Sequence, residues 1–234
     1  MVPATFRLAS SSATRPAMCV RSTATTWMAM VIPTSCSPRW LQMVASAGSK
    51  TMAAATSRSS NRSDQHCRTI DTGSGDDSLK LLSVDNNFDG TLSIIGGAGN
   101  DTIDARRLRH PIRAFGNDGD DVLLGGRSDD WLSGGDGADF INGRGGSDEI
   151  TVDAGNDSIR GGMGDDNIQD GAGNDFLAGQ AGHDVLDGGI GDDFLRGGIG
   201  HDQLVGGEGF DRLFGGAGRD ILRGHTGNDV LNGG

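Results

Sequence analysis

An all-β chain wound as a parallel β-solenoid is predicted by three observations. A nine-residue unit repeats thirteen times without a gap from Gly116 to Asn232, one apolar residue keeps a fixed place in every unit, and 41 of the 234 residues are glycine. A register this strict marks a stack of like coils rather than a globular core. Counting from Gly116, the sixth position is Asp in all thirteen units and the eighth is always Leu or Ile. The fourth is Gly in twelve units, Ser128 excepted; the first is Gly in eleven, Val152 and Asp170 excepted; the second is Gly in eight.

The chain divides into a leader (1–68), irregular first coils (69–115) and the regular array (116–234). The leader is basic, rich in Ser, Thr and Ala, and free of acidic residues before Asp64. Its composition fits an organelle transit peptide or a disordered segment. It also fits translation from the wrong frame, because the codons of Trp27-Met28-Ala29-Met30-Val31, read from the third base, spell Asp-Gly-x-Gly. The nucleotide sequence of the gene decides between these readings.

A weaker unit, TGSGDDSLK at 72–80, places Gly73, Gly75, Asp77 and Leu79 in register. LKLLSV and TLSII read as short strands separated by the turn-forming DNNFDG. A good unit follows, GGAGNDTID at 96–104, with Asp101 and Ile103. The next nine residues, ARRLRHPIR, keep Ile112 at the eighth place but lose the glycines and the aspartate, so they are expected to form a coil without a metal site. Ala114 and Phe115 then add two residues, which predicts a bulge. The array stops two residues into a further unit, at Gly233 and Gly234, with no atypical cap; a fragment of something longer is expected.

Within a unit, positions 7 to 9 are predicted to form a three-residue strand with only the middle side chain pointing inward. Positions 1 to 6 turn the chain, and Gly at 1, 2 and 4 supplies positive backbone angles. Two units make a coil of eighteen residues, and stacked coils give two parallel sheets across a thin Leu/Ile core, rising about 4.8 Å per coil. That core is too thin to offset the ordering entropy of so glycine-rich a chain, and a cation in the turns is expected to supply the difference.

Sixth-position carboxylates eighteen residues apart fall on one edge of the stack. One edge carries Asp121, Asp139, Asp157, Asp175, Asp193, Asp211 and Asp229; the other carries Asp130, Asp148, Asp166, Asp184, Asp202 and Asp220. The adjacent pairs offer up to about eleven sandwiched sites. With turn carbonyls added, each is a set of hard oxygens suited to calcium rather than to magnesium, which prefers a smaller, partly hydrated octahedron. An Asx turn alone would accept Asn equally well at position 6.

Units such as GGIGDDFLR at 188–196 and GGAGRDILR at 215–223 make the chain resemble the repeats-in-toxin (RTX), or hemolysin-type, calcium-binding nonapeptide repeat family. The resemblance implies a right-handed β-roll holding several calcium ions. By it, the ligands are Asp101 and the thirteen sixth-position aspartates, with turn carbonyls including those of Gly161, Gly162, Gly164, Gly188, Gly189, Gly191, Gly197, Gly198, Gly200, Gly206, Gly207, Gly209, Gly215, Gly216 and Gly218. It further implies a secreted, non-catalytic module that passes type I secretion machinery and folds on calcium outside the cell. The alternatives are the C-terminal piece of an RTX protease, lipase, polysaccharide-modifying enzyme or toxin whose other domain is missing, and a rigid adhesin spacer.

Composition narrows the function classes. Residues 64–234 hold all 32 acidic residues against thirteen basic ones, a balance that repels nucleic acid and anionic lipid and favours cations. No apolar run reaches the ~18 residues of a membrane span. Cys19, Cys36 and Cys67 lie outside the array without metal or redox spacing. No H-E-x-x-H or G-x-S-x-G motif is present, so the chain is expected not to be an enzyme. His183 and His201, both at position 5, suit exposed spacers better than a second metal site with no third ligand. Phe140, Phe176 and Phe194 at position 7, with Phe214 nearby, form an outward ladder that strand propensity alone explains.

Overall fold

A computed structural model describes residues 28–33, 40–47, 69–84 and 91–234. Among them lie two parallel sheets and no helix. One sheet runs in chain order from Asp77–Ser83 through Thr102–Asp104, Val122–Leu124, Phe140–Gly145, Ser158–Met163, Phe176–Ala181, Phe194–Gly200 and Arg212–Gly218 to Val230–Asn232. The facing sheet runs from Thr69–Ser74 through Leu92–Ala98, Ile112–Asp118, Trp131–Asp136, Glu149–Thr151, Asn167–Gln169, Val185–Ile190 and Gln203–Glu208 to Ile221–Thr226. Strands Met28–Pro33 and Trp40–Ala47 pair antiparallel with each other, and the second pairs with Asp77–Ser83. The rest of the 1–68 leader, expected to be disordered or misframed, lies outside the described residues. No helix of the described residues is long and apolar enough to cross a membrane.

The coil period is eighteen residues throughout the array, as in Phe176↔Phe194 and Val185↔Gln203. Alternation along each strand turns the eighth-position side chain inward, and Leu123, Leu132, Ile141, Ile150, Ile159, Ile168, Leu177, Leu186, Leu195, Leu204 and Leu213 are all fully buried. Most array strands run to six or seven residues instead of the three expected. The pairing continues past position 9 through the glycines of the next unit, as in Gly198↔Gly216.

The first coils depart from eighteen. Thr69 pairs with Ser93 and Leu92 with Ile112, so the first coil takes 24 residues and the second 20. The expectation for Ile112 is corrected here: Ala114 pairs with Leu132 and so holds the eighth place, whereas Ile112 stands two residues earlier, level with Asp130. Ala114 and Phe115 form no bulge; they lie inside the regular strand Ile112–Asp118. The two extra residues are absorbed by the turn before that strand, where the Leu108 N–H donates to the Ala105 carbonyl at 2.8 Å and both side chains enter the core.

Glycine does two separate jobs. At most of positions 2 and 4 it takes positive φ, for example +123° at Gly198 and +150° at Gly200. At position 1 it does not, contrary to expectation, and its role is steric. A Cβ on Gly188 would sit 2.5 Å from Asp193 Oδ2 and 2.8 Å from the Gly206 carbonyl oxygen.

Candidate metal centre

The sixth-position aspartates form two rows, one per edge, buried under the turns. Along the first, the Asp121 N–H donates to Asp139 Oδ1 at 2.8 Å, Asp139 to Asp157 at 2.7 Å, Asp157 to Asp175 at 2.7 Å, Asp175 to Asp193 at 3.0 Å and Asp193 to Asp211 at 3.0 Å. Asp211 donates to Asp229 at 3.1 Å. Along the second, the same bond links Asp130 to Asp148, Asp148 to Asp166, Asp166 to Asp184, Asp184 to Asp202 and Asp202 to Asp220. One oxygen of each carboxylate therefore fastens the coil before it.

The other oxygen is left over. Oδ2 of Asp101, Asp121, Asp139, Asp148, Asp157, Asp166, Asp175, Asp184, Asp193, Asp202, Asp211 and Asp220 is buried without a hydrogen-bond partner. Asp184 is 0% exposed, and Asp193, Asp202 and Asp211 are 1%. A desolvated carboxylate oxygen with no donor is costly, and a row of them compounds the cost by repulsion. Burial accordingly pushes the carboxyls of Asp139, Asp148 and Asp193 up to about 7 and that of Asp166 up to about 8, the N–H bonds to Oδ1 offsetting only part of it and the neighbouring carboxylates adding more. A cation beside these oxygens reverses that balance.

The surroundings fit a hard cation. Where position 1 is glycine, Oδ2 lies against that glycine five residues earlier, as for Gly161 with Asp166, Gly197 with Asp202, Gly206 with Asp211 and Gly215 with Asp220. The Gly215 carbonyl oxygen converges on the same point, 2.7 Å from a Cβ built on Gly197. The carbonyls of positions 2 and 4 point along the stack. Those of Gly189, Gly191, Gly198 and Gly200 face the glycines one coil on, Gly207, Gly209, Gly216 and Gly218. Gly162 and Gly164 face the Arg144 and Gly146 carbonyls in the same way. The donor set is oxygen only, as calcium requires.

Asp77 belongs to this row although sequence reasoning left it out of the ligand set. It donates its N–H to Asp101 Oδ1 at 2.7 Å, its own Oδ2 is buried and partnerless, and burial pushes its carboxyl up to about 6. The signal was present, since TGSGDDSLK carries Gly73, Gly75, Asp77 and Leu79 in register. Asp130 differs in the opposite sense: the Gly126 N–H donates to its Oδ2 at 2.7 Å, so it has no orphan oxygen. Beyond Asp130 that edge carries no carboxylate, because Ile112 and, paired with it, Leu92 fill the place. The coil through 105–113 therefore presents hydrocarbon rather than a carboxylate on that edge. Asp229, in the last unit, is half-buried.

A second ladder runs along the outside at position 5, with reversed polarity. There the later coil donates: Asp192 N–H to Asn174 Oδ1 and Phe210 N–H to Asp192 Oδ1, at 2.8 and 2.9 Å. His183 and His201 are members of it. Their rings stack 5.0 Å apart, and each Nδ1 accepts a backbone N–H at 2.9 Å, from His201 and Arg219 respectively. Both rings therefore act as turn fasteners. On the sheet face, Phe176 stacks on Phe194 at 5.4 Å and Phe194 on Phe214 at 5.2 Å.

The family described as RTX calcium-binding nonapeptide repeat (4 copies) matches residues 93–107, 115–150, 142–169, 169–204 and 205–234. The chain belongs to the RTX calcium-binding nonapeptide repeat family. For an RTX chain, stacked buried aspartates with spare oxygens imply calcium binding. No curated protein and no solved structure matches the RTX chain.

Proposed function

We propose that this chain is a calcium-dependent folding module, non-catalytic in itself, of a protein that works outside the cell. The reading rests on the two rows of buried, partnerless Oδ2 atoms. Left bare they oppose the fold, and with calcium beside them they hold it, so binding and folding become one equilibrium. The ligands proposed are Asp77, Asp101 and the sixth-position aspartates of the array, together with turn carbonyls. Calcium would supply charge neutralisation there and nothing more. Extracellular calcium modules bind at about 10⁻⁴–10⁻³ M, far above cytosolic calcium. A chain of this kind stays unwound inside the cell, which suits passage through type I secretion machinery, and winds up outside.

Hydrodynamic radius tests the switch. The full chain should be expanded at submicromolar calcium and compact at millimolar calcium, while millimolar magnesium leaves it expanded. A compact chain at submicromolar calcium would remove the basis for a folding switch between the two compartments.

A further inference from the structure

One site in the array is built differently from the rest. At 170–178 the unit reads DGAGNDFLA, with Asp170 where the repeat has its first glycine. That place adjoins the sixth-position Oδ2, so a carboxylate there enters the row itself. Asp157, Asp170 and Asp175 bring their carboxylate oxygens within 4.8 Å of one another, the one such group of three among the described residues. Asp157 and Asp175 are each 3% exposed. All three have a buried Oδ2 without a partner, while the second oxygen of each is engaged: Asp157 Oδ1 by the Asp139 N–H, Asp175 Oδ1 by the Asp157 N–H, and Asp170 Oδ1 by the Gly171 N–H at 2.8 Å. Burial and then the Asp175 carboxylate push Asp170 up to about 8. One coil earlier the same place holds Val152, 5% exposed, and one coil later it returns to Gly188. Edge one thus carries a single three-carboxylate cluster, with an apolar side chain in the equivalent place one coil earlier.

We propose that Asp157, Asp170 and Asp175 form a three-carboxylate cation site, distinct from the two-carboxylate sites of the other coils, that takes calcium first and nucleates winding of the array. Three hard anionic oxygens in a desolvated setting attract a calcium ion more strongly than two do. The coils on either side then stack on an edge already neutralised. This rests on the calcium reading above and goes beyond it, because Asp170 has no counterpart in the repeat pattern.

The test is equilibrium dialysis of the full chain with radiolabelled calcium, comparing wild type, Asp170→Gly and Asp170→Asn, with circular dichroism at saturating calcium to check folding. Asp170→Gly restores the residue most units carry, and Asp170→Asn keeps the shape without the charge. Wild type should show one ion bound at least tenfold more tightly than the remainder. Asp170→Gly should lose that phase and keep the later one, and Asp170→Asn should weaken it about tenfold. If both variants bind calcium with the wild-type isotherm, the three-carboxylate site is overturned while the calcium module stands. If wild type takes up no calcium, the module reading falls and this site with it.

Discussion

The coils between Thr69 and Ala114 and the array beyond them close the same kind of stack with different materials. The first coils bury Ile70, Leu79, Leu81, Leu92, Ile94, Ile103, Ala105, Leu108, Ile112 and Ala114, several apolar side chains to each turn. They also carry an ion cluster in which Asp104 is held at 2.8 Å by Arg106 and at 3.2 Å by Lys80. An array unit up to Leu213 buries one Leu or Ile and one Asp at these places, and among the described residues no Lys or Arg pairs with those carboxylates. Where Ile112 stands level with Asp130, hydrocarbon fills a place that a carboxylate occupies in every later coil of that edge. On the proposed calcium reading, the difference shows what a cation would replace: the array carries a carboxylate beneath the turn where the first coils carry apolar bulk on that edge.

Calcium dependence should separate the two regions most sharply. Asp166→Ala removes a carboxylate shared by two neighbouring pairs and the acceptor of the Asp148 N–H. Its destabilisation should grow with calcium, by about 1.4 kcal/mol per tenfold rise for each site lost. Denaturant melts of wild type and variant at several calcium concentrations measure this, and a gap independent of calcium would break the contrast. Ile112→Ala should cost about 2–5 kcal/mol, as buried large-to-small changes do, with the same gap at every calcium concentration.

Protons should act with opposite sign on the stacked array carboxyls and on Asp104. In the array, folded carboxyls raised to about 6 to 8 take up protons that the unfolded chain does not hold. Calcium-free stability should therefore rise as pH falls from about 8 towards about 4. In the first coils, hydrogen bonds from Arg106 hold Asp104 down at about 2, so its contribution is present above the ordinary carboxylate range and is lost as pH falls towards 2. Hydrogen exchange around the array carboxyls and around Asp104 in chelator across pH 2 to 8 reads both trends, and array protection that falls between pH 8 and pH 4 would contradict them. The smallest effect belongs to Asp229→Ala, half-buried in the last unit, whose calcium midpoint should stay close to that of wild type.

The period, the two aspartate rows and the Leu/Ile core were legible in the sequence because each depends on strict register alone. Other features depend on what touches what. The two-residue surplus before the array had no unique location in the sequence, and only the pairing of Arg113 with Trp131 puts it in the 105–111 turn. Glycine at position 1 looked like a backbone requirement, yet its φ is not positive there, and what a side chain would meet is the aspartate five residues on. The position-5 ladder was hidden because Asn, Asp, Ser and His all serve as its acceptors, so no single letter recurs. Asp170 read as an exception to the glycine pattern, and only the coiled geometry sets it beside Asp157 and Asp175.

The central claim is that cations between stacked acidic turns hold the array wound. Far-ultraviolet circular dichroism of the full chain tests it most directly, first in excess chelator at pH 8, then as calcium is restored, with magnesium as the control. The account predicts little sheet signal in chelator, a cooperative gain on calcium and none on magnesium. A full sheet signal in chelator that calcium leaves unchanged would contradict it.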